Sequence, residues 1–190
     1  MTVAADPSPW YTRLATYKTF GAQHRALLAS LIYTYLAKHE AEIAAALGGG
    51  PDYLTIVPST RGLPVEKQPL RGVLRMVQPL EERFQPVLTH VPGCAVPRNG
   101  YRPECFTADP ADVDGTRALV IEDTWVTGAK AVSAAGALLD AGAASVLILP
   151  VARRVQPGSG FHRPDHPYFT AIQRPYDISF WPPSERDDFF

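Results

Sequence analysis

Two adjacent acids, Glu122 and Asp123, follow the apolar run Ala118-Leu119-Val120-Ile121 and precede Thr124-Trp125-Val126-Thr127-Gly128-Ala129-Lys130. An ionised carboxylate is acceptor-only, so such a pair suits the hydroxyls of a sugar better than it suits an anion. Gly128 lets a backbone approach a ligand closely, and amides from about Val126 to Lys130 that open a helix make a cradle for a phosphate monoester. A cradle beside paired acceptors points to a phosphorylated sugar with a vicinal diol, that is, ribose 5-phosphate. The bland alternative is a solvated strand end, since Glu-Asp after an apolar strand also occurs where nothing binds. Metal-assisted hydrolysis by the acidic pair would need further ligands that the surrounding sequence does not offer.

A second candidate is Ser59-Thr60-Arg61-Gly62, which follows Val57-Pro58 and offers hydroxyls, turned-out amides and a guanidinium for bidentate phosphate binding. An ordinary turn explains the same Pro and Gly. Arg98 and Arg102 lie in a segment from Pro92 to Pro103 punctuated by Gly93, Pro97, Asn99 and Gly100. This reads as a mobile loop whose basic residues either close over a ligand anion and exclude water or remain solvated. Trp125 either stacks on a ligand or covers the helix that follows. The five histidines, His24, His39, His90, His162 and His166, show no metal-ligand spacing and read as core or surface residues.

Positioning these residues requires an alternating α/β chain. Apolar residues from Ala22 to Leu47 recur at helical steps up to Gly48-Gly49-Gly50-Pro51, predicting one long helix. Tyr53–Val57 predicts a buried strand, Pro69–Val77 a short helix stopped by Pro79, and Gln85–Val91 a second strand. Arg117–Ile121 reads as a central strand of a parallel sheet, with the acids at its carboxyl end, where open α/β sheets bind ligands. A helical stripe over Ala131–Leu139 and a strand at Val146–Leu149 complete a βαβ unit, expected to be right-handed. The prolines between Pro150 and Pro183 predict an irregular tail, in which Phe161, Tyr168, Phe169, Tyr176, Phe180 and Trp181 either pack on the sheet or cover a site.

The run from Ala118 to Ala131 resembles the phosphate and ribose motif of the type I phosphoribosyltransferases, and within them it is most similar to ComF-like proteins. The likeness extends to Leu138-Leu139-Asp140-Ala141-Gly142-Ala143, to the strand into Ala152-Arg153, and to Tyr17-Lys18 with the helix after it. It spans about residues 17–155. The resemblance implies a mainly parallel sheet flanked by helices, with a small hood from terminal and loop segments, residues 156–190 among them. It implies that Glu122 and Asp123 hold ribose hydroxyls while Thr124, Val126, Thr127, Gly128, Ala129 and Lys130 form the 5′-phosphate loop. It further implies that Ser59, Thr60, Arg61 and Gly62 hold pyrophosphate, with Arg98 and Arg102 as loop cations. The ligand would be 5-phosphoribosyl-1-pyrophosphate (PRPP), with Mg²⁺ held through it near Glu122 and Asp123 rather than by direct protein ligands. Three residues depart from the motif: Glu122 replaces an Asp, Val126 a Thr, and Lys130 a Thr or Ser. The cysteine-rich zinc module that ComF-like proteins often carry has no counterpart here. The implied activity is transfer of ribose 5-phosphate to a base or amine, the alternative being a non-catalytic sensor of PRPP or a nucleotide.

Composition narrows the classes. At 190 residues, one domain over residues 1–190 is expected, and 46% hydrophobic with 19% charged residues fits a folded globular chain. A net charge of −1 gives no overall attraction for nucleic acid. Without a signal-like opening or a long apolar run, a cytoplasmic protein is expected, with a homodimer among its possible states. Cys94 and Cys105 are too few for a disulfide framework and lack zinc spacing, so they read as inert or buried thiols.

Overall fold

A computed structural model describes residues 2–5, 9–19 and 22–155. The expected aromatic tail, with His162 and His166, lies outside the described residues. In chain order the strands are β1 (Thr2–Ala5), β2 (Tyr53–Ile56), β3 (Thr89–His90), β4 (Phe106–Thr107), β5 (Arg117–Trp125) and β6 (Ser145–Val155). The helices are α1 (Pro9–Thr16), α2 (Ala22–Lys38), α3 (Glu40–Leu47), α4 (Pro69–Leu74), α5 (Gln78–Glu82), α6 (Pro110–Val113) and α7 (Ala129–Asp140).

The architecture is α/β. Strands β2, β5 and β6 form a parallel sheet between two helical layers, and β1 adds in parallel at the β6 edge, giving the order β1-β6-β5-β2. Alternation along the strands divides the core. Leu54, Ile56, Leu119 and Ile121 face a cluster built from α2 to α5, including Leu28, Ile32, Ile43, Val73 and Leu80. Tyr53, Ala118 and Val120 face the other way, onto Ala134, Ala137 and Leu138 of α7 and onto Phe106. The apolar run Ala118–Ile121 is therefore buried on both sides, as a central parallel strand requires. Among the described residues no helix is long and apolar enough to cross a membrane.

Several expected elements are corrected. The single helix over Ala22–Leu47 is two, α2 and α3, divided at His39, whose ring is buried against Tyr35. Apolar periodicity survives such a break, because each half keeps its own face on the sheet. Pro79 does not stop a helix; it occupies the first turn of α5, where a missing N–H leaves no bond unmade. The strand expected over Gln85–Val91 shrinks to Thr89–His90, paired antiparallel with Phe106–Thr107. Strand β5 continues past Ile121 to Trp125, and β6 runs through Pro150 to Val155. Pro150 is tolerated there ahead of the Ala152–Val155 stretch that β1 covers. Neither β1 nor α1 was anticipated, since four residues of strand and two turns of helix carry too little pattern to stand out.

The largest correction concerns the cysteines. Cys94 and Cys105 are not separate thiols but a disulfide, with Cα atoms 5.2 Å apart, closing the loop between β3 and β4. Two cysteines eleven residues apart give no sequence signal of pairing, and the short β3–β4 ladder brings them together. The loop so closed is also pinned to α7. The Arg102 amide donates to Ser133 Oγ at 2.9 Å, and the Tyr101 side chain lies on Gly136, where an added Cβ would meet its hydroxyl at 2.3 Å. The segment expected to be a mobile loop is thus anchored at three places.

Candidate functional site

The site forms where β5 emerges from the sheet. Glu122 and Asp123 remain within the strand, Glu122 opposite Pro150 of β6, and the chain leaves the sheet only after Trp125. Strand alternation sends neighbouring side chains to opposite faces, yet both acids are partly open to solvent at this edge. Asp123 is held from a distant part of the chain. The buried Tyr17 phenol donates to Asp123 Oδ2 at 2.6 Å, and Lys18 Nζ lies 2.6 Å from the same oxygen. Burial, reinforced by the Asp123 carboxylate, keeps the Tyr17 hydroxyl protonated far above neutral pH, so it is a permanent donor.

Glu122 is in a different electrostatic position. Burial and the adjacent Asp123 charge push its carboxyl up to about 8, against the opposing pull of Lys18 and Lys130. Between its ordinary range near 4.5 and about 8, the folded protein holds a proton that the unfolded chain releases. Stability from this group is therefore full below the ordinary value and declines as pH rises through 8. Glu122→Gln, which keeps the shape without the charge, is expected to flatten the fall in melting temperature between pH 5 and pH 9. It should stabilise the protein at the alkaline end by an amount on the order of 1 kcal/mol or more. Thermal melts of both proteins across that range check it; parallel curves would place the titration elsewhere.

After Trp125 the turn Val126–Gly128 leads into α7, with Gly128 at its N-cap in the left-handed region at φ 77°. The N-cap offers no side-chain hydrogen bond, and the first amides of this helix of 12 residues have no acceptor within the helix itself. Thr127 Oγ1 accepts weakly from the Ala129 amide at 3.4 Å and donates to the Arg98 carbonyl. Val126 is 42% exposed, in place of a hydroxyl that the motif would supply. The Trp125 indole lies against Gly128, close to where a Cβ on that residue would stand.

The Ser59–Gly62 loop lies alongside. Lys130, in the first turn of α7, extends its ammonium to Thr60 Oγ1 at 3.2 Å and so connects the two candidate anion loops. Gln68 holds this loop from beneath: its side-chain carbonyl accepts from the Ser59 amide at 3.1 Å, and its amide donates to the Leu63 carbonyl at 3.2 Å. Ser59 Oγ accepts from the Arg61 amide at 3.3 Å, and Gly62 takes φ 70°. Arg61 itself is exposed.

Glu122, Asp123, Lys130 and the Thr60 hydroxyl are thus gathered at one sheet edge. The Arg98 backbone reaches the turn through Thr127, whereas the Arg102 guanidinium is turned to Glu104 at 2.8 Å and the Ala95 carbonyl at 3.5 Å. Tyr17, Lys18 and Gln68 were not anticipated as site residues from their chemistry. Tyr17 and Lys18 lie more than a hundred positions from Asp123 and are marked only by the family resemblance, which gives them no role at the site, and Gln68 precedes an ordinary Pro-initiated helix with nothing local to mark it. Among the described residues no three His, Cys, Asp or Glu side chains cluster as metal ligands. Neither the known protein-family models nor the curated proteins give a match to this chain.

Proposed function

We propose that the protein is a PRPP-dependent phosphoribosyltransferase built on a type I phosphoribosyltransferase-like fold. The observation that carries this reading is the junction at Lys130, whose ammonium lies 3.2 Å from Thr60 Oγ1 and so sets the N-terminus of α7 beside a second loop rich in donors, with the Glu122 and Asp123 carboxyl groups alongside. In this scheme Glu122 and Asp123 accept from the ribose 2′- and 3′-hydroxyls, and the amides from Val126 to Lys130 hold the 5′-phosphate. Ser59, Thr60, Arg61 and Gly62 hold the pyrophosphate, assisted by Arg98 and, after leaving Glu104, Arg102.

The reaction would break the bond from C1 of the ribose to the pyrophosphate oxygen and form one from C1 to an acceptor nitrogen, whose proton goes to solvent or base. Positive charge developing at C1 needs no protein nucleophile, and fixed charges around the ribose and the leaving group lower the barrier by electrostatics. Mg²⁺ would be held through the pyrophosphate, near Glu122 and Asp123 and not by direct protein ligands, and would neutralise the leaving group. Those acids orient the sugar, and burial of Asp123 against Tyr17 keeps its acceptor in place.

Calorimetric titration with PRPP and Mg²⁺ tests the binding step. Saturable heat is expected, and Asp123→Ala should weaken affinity at least about tenfold, because it removes charge-assisted hydrogen bonds worth about 1.5–3 kcal/mol. No heat at millimolar ligand, or an unchanged affinity in Asp123→Ala, would sink the proposal. A second reading is favoured by Val126 and Lys130, which replace two phosphate-binding hydroxyls: the chain binds PRPP without turnover and passes the bound state to a partner. Release of pyrophosphate in a screen of base and amine acceptors separates the two. A cytoplasmic setting for this chemistry would place the Cys94–Cys105 bridge in a reducing environment, where persistent disulfides are rare, and the bridge is then expected to open.

A further inference from the structure

We infer that Lys18 is a built-in cation of the ligand site, which pairs with the anionic group at C1 of the ligand and takes over part of the charge neutralisation otherwise left to a divalent metal. The inference rests on the PRPP reading above and adds a residue that lies outside both candidate anion loops. Lys18 sits in the turn between α1 and α2, and its ammonium is 2.6 Å from Asp123 Oδ2.

The fold does not require this contact. The Lys18 side chain is 51% exposed, against 14% for Asp123, and ion pairs this open to water contribute little to stability. The same oxygen already accepts from the buried Tyr17 phenol at 2.6 Å, so Asp123 is held without Lys18. What Lys18 adds is a solvent-exposed positive charge at the acid that would carry the sugar hydroxyls. An ammonium has three donors, of which Asp123 takes one, and the Tyr17 ring flanks it at 5.6 Å. Any polyol seated on Asp123 brings the substituent of its neighbouring carbon within reach of the other donors. In PRPP that substituent is pyrophosphate, next to the 2′-hydroxyl. Lys130 supplies a second ammonium at the opposite loop, and both lysines act electrostatically on Glu122.

Affinities of wild type, Lys18→Met and Lys18→Arg for PRPP with Mg²⁺, PRPP in EDTA, and ribose 5-phosphate form the test. Wild type is expected to bind PRPP in EDTA within about tenfold of its affinity with Mg²⁺, the equivalent of one charge-assisted bond. Lys18→Met should lose a further factor of about 10 to 100 in EDTA and clearly less with Mg²⁺. Ribose 5-phosphate lacks the group that Lys18 contacts, so its affinity should change by less than about threefold, which also reports an intact site. Lys18→Arg should retain most of the EDTA binding. Equal losses for PRPP and ribose 5-phosphate, an unchanged Lys18→Met, or a wild type that binds PRPP only with Mg²⁺ would overturn the assignment of Lys18 while leaving the PRPP reading standing. If wild type binds neither ligand under any condition, the PRPP reading falls and takes this inference with it.

Discussion

Gly128→Ala is expected to lower stability by about 2–4 kcal/mol, and Trp125→Ala is expected to restore part of that loss. Two physical effects add at this position. At φ 77° an L-residue with a Cβ is strained, which costs about 1 kcal/mol. The new methyl would also lie 2.1 to 2.5 Å from three atoms of the Trp125 indole, which must move. Trp125 is partly buried on the backbone of the turn, so shifting it exposes apolar surface and disturbs the first amides of α7. A double-mutant cycle isolates the steric part: the Trp125→Ala background should show a smaller penalty, leaving mainly the backbone strain. Urea melts of the four proteins measure it. Identical penalties in both backgrounds would show that the indole yields without resistance. Under the proposed function, the same substitution should also weaken phosphate binding, because the proposed cradle and the fold share this glycine.

Opening the Cys94–Cys105 bridge is the second large effect expected. Closing a loop of about a dozen residues restricts the unfolded chain by about 3 kcal/mol in the loop-entropy treatment. For a chain of this size that corresponds to a fall in melting temperature of about 6–12 °C. Cys94→Ala with Cys105→Ala should behave as the reduced wild type does, and the reductant should no longer shift the melt of the double variant. The consequence extends beyond stability. The bridged loop carries the Arg98 carbonyl that accepts from Thr127 Oγ1, and the Arg102 amide that donates to Ser133 on α7. Loosening it should increase amide exchange across Pro97–Pro103 and in the first turn of α7, whereas the β5–β6 ladder should be unaffected. A melt insensitive to reductant would remove the bridge from the account of this loop.

The centre of the fold was legible because it is local. Ala118–Ile121 is apolar at every position, a pattern that suits a strand covered on both faces. Of the expected stripe Ala131, Val132, Ala135, Leu138 and Leu139, three residues (Ala131, Ala135 and Leu138) are on the buried side of α7 while Val132 and Leu139 are exposed. The acids and Gly128 between those elements then had to lie at a sheet edge, so the candidate site could be placed from the order of residues alone. Boundaries were less legible. The expected strand ends at Ile121, where two charged residues follow, yet pairing with β6 carries it on to Trp125.

The sequence by itself determined the central strand and helix of the α/β core and which stretch of chain holds the paired acids and the start of α7, since periodicity and turn chemistry act over a few residues. Only the tertiary structure decided what surrounds the acids: Tyr17 and Lys18 on Asp123, Lys130 across to Thr60, Gln68 beneath the second loop, and the bond between Cys94 and Cys105. These contacts join positions far apart in the chain or unmarked by any pattern, and burial and charge at the site depend on them rather than on the motif itself.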